Sequence, residues 1–395
     1  MKYAFIILTV VLLCRSVLVA QPLDSTGPKK AMPDEWIDQD THHKVVRLSR
    51  KDGNNLSFYF HNNPFIGDTM IFYSTDDSGK HLYSVDLRTL RLTRVSDVAG
   101  GAEIVGHKTK SVYFQSHDSV FMTSVMTGAT KLVFVFPPDF KGSVSTVNAD
   151  ETLLAGSWAS DEQRAISRNY PEKHDFFDRI FDAHLPNMLF TINLKTGELK
   201  KIHSENTWLG HVQFSPTDPD LLMFCHEGPW QKVDRIWTIR MGSGEVRLMH
   251  KRTVDNEIAG HEFFGPDGKT IFFDWQIPKG QTFYLGAVDV ATGTERKYAL
   301  TRDEWSIHFN VSSDEKFFCG DGGDAGQVAK AKDGRWIYLF RPEGDHFAAE
   351  RLVNMKDQYY KLEPNVHFSP DGRWVIFRGN FEGKEEVYAV ECKKS

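Results

Sequence analysis

Imidazole side chains recur at one position of a repeated word, a pattern that could gather several proton acceptors or metal ligands at a single place. His211 opens HVQFSPTDPD, His261 opens HEFFGPDGKT and His308 opens HFNVSSDEKF. Each word runs through a Pro/Asp/Gly turn into an apolar stretch. A fourth copy, NVHFSPDGRWVIF, puts Asn365 at the offset from Asp371 that His261 and His308 keep from Asp267 and Asp314. His367 stands two residues further on, and on a strand it would face the same side as Asn365. Histidine suits such a cluster because its unperturbed pKa of about 6.5 lets it accept a proton or bind a cation near neutral pH.

Side chains repeated in this way need a repeated scaffold. Each unit reads as strand, turn, strand, loop, strand, turn, strand. Clear hairpins are TMIFYSTDDSGKHLYSVDLRTLRLTRVS and DGRWVIFRGNFEGKEEVYAVEC, where β-branched and aromatic runs are broken by D-D-S-G, D-G or E-G turns. A unit of roughly 40 to 50 residues cannot bury its apolar faces alone, so neighbours must stack. The spacing predicts an all-β chain, a seven-bladed β-propeller, with blades near 44–97, 102–137, 145–204, 208–251, 258–302, 305–355 and 362–394. The histidines would then face its central channel. The segment at 44–50, KVVRLSR, is expected to close the ring beside 386–392 and so remove exposed edges. The insertion SWASDEQRAISRNYPEKHDFFDRIFDAHLP predicts one helix on a channel rim.

Length alone suggests two or three domains, but the repeat runs without a linker, and residues 41–395 read as one domain. Residues 1–20 have a lysine, about ten apolar residues and a small residue before Gln21, the pattern of a signal peptide. Residues 21–40 are polar and proline-containing and read as a loose leader. Export across the inner membrane to the periplasm, with no membrane tether, is the expectation. Cys225, Cys319 and Cys392 sit in separate blades with no CxxC pattern, which predicts buried free thiols or at most one pair. A net charge of −6 argues against a nucleic-acid partner, since phosphate binding needs a basic surplus.

The words TWLGHVQFSPTDPDLLMFCHEGPWQKVDRIW and GHEFFGPDGKT, followed by HFNVSSDE, CGDGGDA and NFEGKEEVY, resemble those of the oligogalacturonate lyases from about Trp208 to the end of the chain. That resemblance implies a seven-bladed propeller and a metal-assisted β-elimination on short galacturonate chains, an acidic oligosaccharide substrate. By the same match His261 is the general base and Arg235, in VDRIW, an arginine near the scissile bond, although this chain is one residue shorter between aspartate and arginine; read from its neighbours alone, Arg235 could instead simply pair with Glu227 or Asp234. His308 matches a metal-binding histidine. Where the family has a glutamine and two histidines as further ligands, this chain aligns Tyr360, Glu363 and Asn365.

The elimination needs a base for the C5 proton, a cation to neutralise the carboxylate on C5 and a route for the C4 oxygen to leave. Glu363, Asn365 and His367 would alternate along a strand and, with His308, form an N/O site for Mn²⁺, with Ca²⁺ or Mg²⁺ as harder alternatives. His211 and His226 are candidate substrate contacts, or else groups that hydrogen-bond between blades. Glu227 is placed to orient a neighbouring histidine. SFYFHNNPF at 57–65 reads as a channel-facing loop offering His61, Asn62 and Asn63 to the sugar, or as a polar turn. CGDGGDAG at 319–326 reads as a tight turn at the channel mouth. A different class of function is open as well: an exported propeller without catalysis, like the TolB-type binding modules that share the F-S-P-D-G turn.

Overall fold

In the computed structural model, which describes residues 31–97, 100–327 and 330–394, nearly every element is a strand. The strands form seven antiparallel meanders. Blades two, three and four are separate four-stranded sheets, and blades five and six touch through a single parallel bridge between Ala299 and His346. The apolar core divides correspondingly. One cluster joins Val46, Phe72, Ile376 and Val387 from blades seven and one, another joins Ile104, Val120, Leu154 and Phe190 from blades two and three, and each remaining neighbouring pair has its own. Packing is therefore between faces of adjacent sheets, which is what sends the inner strands toward a common axis.

His43–Arg47 pairs with Glu386–Lys394 and closes the ring, as its sequence suggests. The edge continues further out than expected. Residues Glu35–Ile37 form an additional strand on His43–Arg47, and the Met32 backbone N–H donates to Glu382 at 2.8 Å, so the second half of the 21–40 leader is built into blade seven. Residues 1–30, which include the expected signal peptide, lie outside the described residues.

The blade-three insertion contains two helices where one was expected. α1 is Asp161–Asn169, with Ser160 capping its N-terminus by accepting from Gln163, and α2 is Lys173–Ala183. Phe176 and Phe177 of α2 pack on Trp208, and Lys173 lies 5.4 Å from the Trp230 ring, which places the insertion over the mouth of blade four. Among the described residues no helix is long and apolar enough to cross a membrane. Cys225, Cys319 and Cys392 are free thiols, the first two buried.

Blade one departs from the pattern in a way that shapes the channel. Its inner strand is broken: Asn54–Leu56 and Phe65–Ile66 both pair with the second strand, Thr69–Asp76, while residues 57–64 leave the sheet. This looped segment carries Tyr59, Phe60 and His61 into contact with the rings of His211, His261 and His308 from blades four to six. It plugs the channel and separates its two mouths.

Candidate functional site

The backbone turns the histidines inward by bulging. Register skips between Gly210 and Gln213 and between Gly260 and Phe263, and His211 and His261 each adopt φ 47°, a left-handed conformation that costs a side-chain-bearing residue about 1 kcal/mol or more. The glycine before His261 has its own reason. A Cβ on Gly260 would stand 2.9 Å from Asp274 Oδ1, in the space the aspartate uses to reach His261.

Two His–Asp pairs form the centre of this mouth. Nδ1 of His261 lies 3.2 Å from Asp274 Oδ1, and Nδ1 of His308 lies 2.7 Å from Asp321 Oδ2; the two imidazole rings are 4.7 Å apart. With Nδ1–H of His261 directed at a carboxylate, its Nε2 is left with the lone pair. Burial, the largest influence on His261, disfavours its charged form, yet the charge and hydrogen bond of Asp274 outweigh it and raise the pKa. His308 is fully buried, and burial holds its pKa well below the ordinary value, helped by the nearby His261. Burial likewise pushes Asp321 up to about 7 against the backbone N–H groups of His308, Asn365 and Ile307 that it accepts from. Tyr59 stands between His211 and His308, its phenol kept protonated chiefly by burial and by the charge of Glu363.

Arg235 pairs with Glu227, one of the two readings its sequence allows. Its side chain is 1 % exposed; Nε donates to Glu262 at 2.8 Å and Nη1 to Glu227 at 2.5 Å, with the Trp230 ring 5.6 Å away. Two carboxylates offset its charge, and through them it holds Glu227 and Glu262 in place. Glu262, held ionised against burial by Arg235 and His211, stands 3.2 Å from His211 Nδ1 and fixes that ring beside Tyr59 and His61. Glu227 serves the arginine and Trp230 Nε1, not a histidine.

Other expected site residues are turned elsewhere. His226 stacks on Trp237 and pairs with Glu205 at 3.1 Å, toward blade three and away from the histidine cluster. Asn62 donates to Glu103, Asn63 accepts from the Phe65 N–H, and both line a cavity of about 570 Å³ at the opposite mouth, where the inner strands run into their turns. The strand of blade seven begins only at His367, so Glu363 and Asn365 precede it and the alternation argument fails. Asn365 has φ 51°; its side chain accepts from the Phe60 N–H at 3.1 Å and donates to the Glu363 carbonyl. His367 Nε2 faces the carbonyls of Tyr59 and Asn62 at 3.2 Å each. Both residues tether the plug, His367 through Nε2, while its Nδ1 has no hydrogen-bond partner among the described residues.

Of the four expected ligands, His308 and Glu363 face each other directly. Among the described residues Nε2 of His308 is buried with no hydrogen-bond partner, and it lies 3.7 Å from Glu363 Oε2. Among the described residues no group of three or more His, Cys, Asp or Glu side chains is disposed to hold a metal by itself. The donors present fit a divalent ion that completes its shell with oxygens from substrate and water.

Sequence reasoning missed Asp274, Asp321, Glu262 and Tyr59. A signal for the aspartates exists, since each follows its histidine by thirteen residues, the distance from an inner strand's start to the matching point of the second strand. CGDGGDAG is accordingly more than a turn, because Asp321 lies within it.

The chain is similar to known proteins over almost its whole length. The oligogalacturonide lyase of Pectobacterium atrosepticum is 25 % identical over 91 % of this chain and 96 % of its own length. The oligogalacturonate lyase of Dickeya dadantii is 26 % identical with the same coverage. A solved oligogalacturonate lyase in complex with manganese superposes with a TM-score of 0.79 at 23 % identity, covering 93 % of this chain and 98 % of that one. Residues 32–395 match the model of the oligogalacturonate lyase family, and the chain belongs to that family.

Proposed function

We propose that the protein cleaves short galacturonate oligosaccharides by β-elimination at the histidine mouth, leaving a 4,5-unsaturated uronate on one product. The observation that carries this reading is the His261–Asp274 pair, an imidazole oriented through Nδ1 with its Nε2 making no hydrogen bond among the described residues. Nε2 takes the C5 proton. The electron pair passes into the C5 carboxylate as an enolate, then forms the C4–C5 double bond as the C4–O bond breaks, and the departing oxygen takes up a proton. Asp274 stabilises the imidazolium formed in the first step. The tether residues Asn365 and His367 hold Tyr59 and Phe60 beneath the bound sugar. A divalent ion at His308 Nε2 and Glu363, manganese first among the candidates, supplies neutralisation of the substrate carboxylate. The family assignment favours this enzyme over the non-catalytic binding module. The signal-like residues 1–20 support a periplasmic location, where short pectin fragments would be met.

Incubating the purified chain with di- and trigalacturonate, with and without Mn²⁺, and following the absorbance of the unsaturated product tests the reading; no product under any condition rejects it. Glu363→Gln and His308→Ala should each lower Mn²⁺ affinity in calorimetric titration by tenfold or more, on the order of a lost ligand. Affinity unchanged in both variants would remove these side chains from the metal site.

A further inference from the structure

Blade seven carries an arginine where blades five and six carry an aspartate. Asp274 follows His261, and Asp321 follows His308, by thirteen residues. The same offset from Asn365 falls on Arg378. The backbone bears out the equivalence: Asp274 is paired with Gly260, the residue before His261, and the Arg378 N–H donates to the carbonyl of Pro364, the residue before Asn365, at 2.7 Å. Arg378 thus starts from the place at the mouth that the two catalytic-pair aspartates occupy.

Its guanidinium is held but not neutralised. Nε donates to Ser57 Oγ at 3.2 Å and Nη2 to the Ser57 carbonyl at 2.6 Å, which locks the plane against the start of the plug. Nη1 makes no hydrogen bond, and no carboxylate comes within 4.0 Å, among the described residues. Arg235 and Arg47, buried on other seams, both reach carboxylates. Glu103, the acid whose charge acts most on Arg378, is already engaged by the Tyr59 N–H at 2.5 Å and by Asn62. Lys80, on the face of blade one that packs against blade two, lies close enough to feel both Arg378 and Glu103; among the described residues it too has no carboxylate within 4.0 Å, and it rests on the Tyr73 ring. An uncompensated arginine removed from most of the solvent is costly, and an anionic ligand offsets that cost.

Around the mouth the order is His261 in blade five, His308 in blade six, Glu363 at the entry to blade seven, Arg378 at the seam of blades seven and one, and then Lys80 at the seam of blades one and two. If His261 meets C5 and the His308–Glu363 pair meets the carboxylate of the same unit, the next cation along the rim meets the next carboxylate. We propose that Arg378, seconded by Lys80, is the carboxylate subsite for the galacturonate unit that leaves with the C4 oxygen. This rests on the elimination reading above.

The experiment compares wild type, Arg378→Gln and the surface variant Lys80→Gln on digalacturonate and on its methyl ester at the leaving unit. A charge-assisted pair of hydrogen bonds predicts a KM about 10- to 100-fold higher in Arg378→Gln with kcat within about threefold, and a smaller KM rise in Lys80→Gln. Wild type should lose the same factor on the ester, and Arg378→Gln should no longer distinguish acid from ester. An unchanged KM in Arg378→Gln, or a variant that still prefers the acid, overturns the proposal. If Arg378→Gln does not fold, a wild type indifferent to the ester, or an unaltered KM in Lys80→Gln, overturns it equally. Calorimetric binding of digalacturonate separates the two readings: wild type that binds without turnover, with binding lost in Arg378→Gln, rejects the elimination and supports the subsite.

Discussion

His261 and His308 have the same partner chemistry and opposite electrostatics. Each directs Nδ1 at a buried aspartate, but Asp274 raises His261, whereas burial dominates at His308 and lowers it. One ring is suited to hold a proton after taking it; the other stays neutral with an unpartnered Nε2, which suits a ligand. His261→Ala should reduce the elimination by about 10² to 10⁴ while leaving the melting temperature near wild type, since general-base removal carries that factor. Asp274→Asn should lower kcat by roughly 10² with little change in KM, because the amide no longer fixes the Nδ1–H tautomer. Retained kcat in the amide variant would show that His261 is oriented by its bulge alone. The histidines were legible in the sequence because rare words mark them. For Arg235 the sequence offered an active-site cation or a partner of Glu227, and the pairing with Glu227 is present; its second carboxylate, Glu262, leaves no trace in its own word, and the alternation of Asn365 and His367 fails because the strand that would have aligned them starts two residues too late.

At the level of elements, bulges and a broken strand do the positioning. The Gly-His words have two different glycines: an added Cβ at Gly210 would make ordinary contact with Cys225 Sγ at 3.4 Å, whereas at Gly260 it would press on Asp274 Oδ1 at 2.9 Å. Gly260→Ala should therefore cost activity by about an order of magnitude or more through the displaced His–Asp pair, and Gly210→Ala should cost far less, as measured by kcat on digalacturonate. Equal effects would mean that the bulge, not the aspartate, needs the glycine. The blade rhythm was readable because turn residues punctuate it at regular intervals. The interruption of blade one was readable only as a polar loop; that it enters the axis depends on Glu103, Asn365 and His367, three residues from blades two and seven that no local pattern connects with it.

The whole molecule is a ring closed by its own beginning, and the seam is tied to the plug through His367. That imidazole is buried, and burial, with the charge of Arg378 next, holds its pKa down to about 4 against an ordinary 6.5. Between those two values the unfolded chain binds a proton that the folded chain refuses. The contribution is fully present above about pH 6.5 and is lost progressively as pH falls toward 4, by about 3 kcal/mol for the single group. His61, on the same plug and also lowered by burial, adds to the effect in the same direction. Guanidinium unfolding of the wild type should therefore show a midpoint that is steady from pH 8 to 7 and falls between pH 6.5 and 4.5. His367→Gln keeps a side-chain donor for the carbonyls of Tyr59 and Asn62 but cannot be protonated, so its midpoint should start at or below that of wild type and fall less steeply, by close to one proton in the linkage slope. A variant with the wild-type slope would show that His367 is not neutral at the seam, and the acid sensitivity of the ring would then lie with other groups.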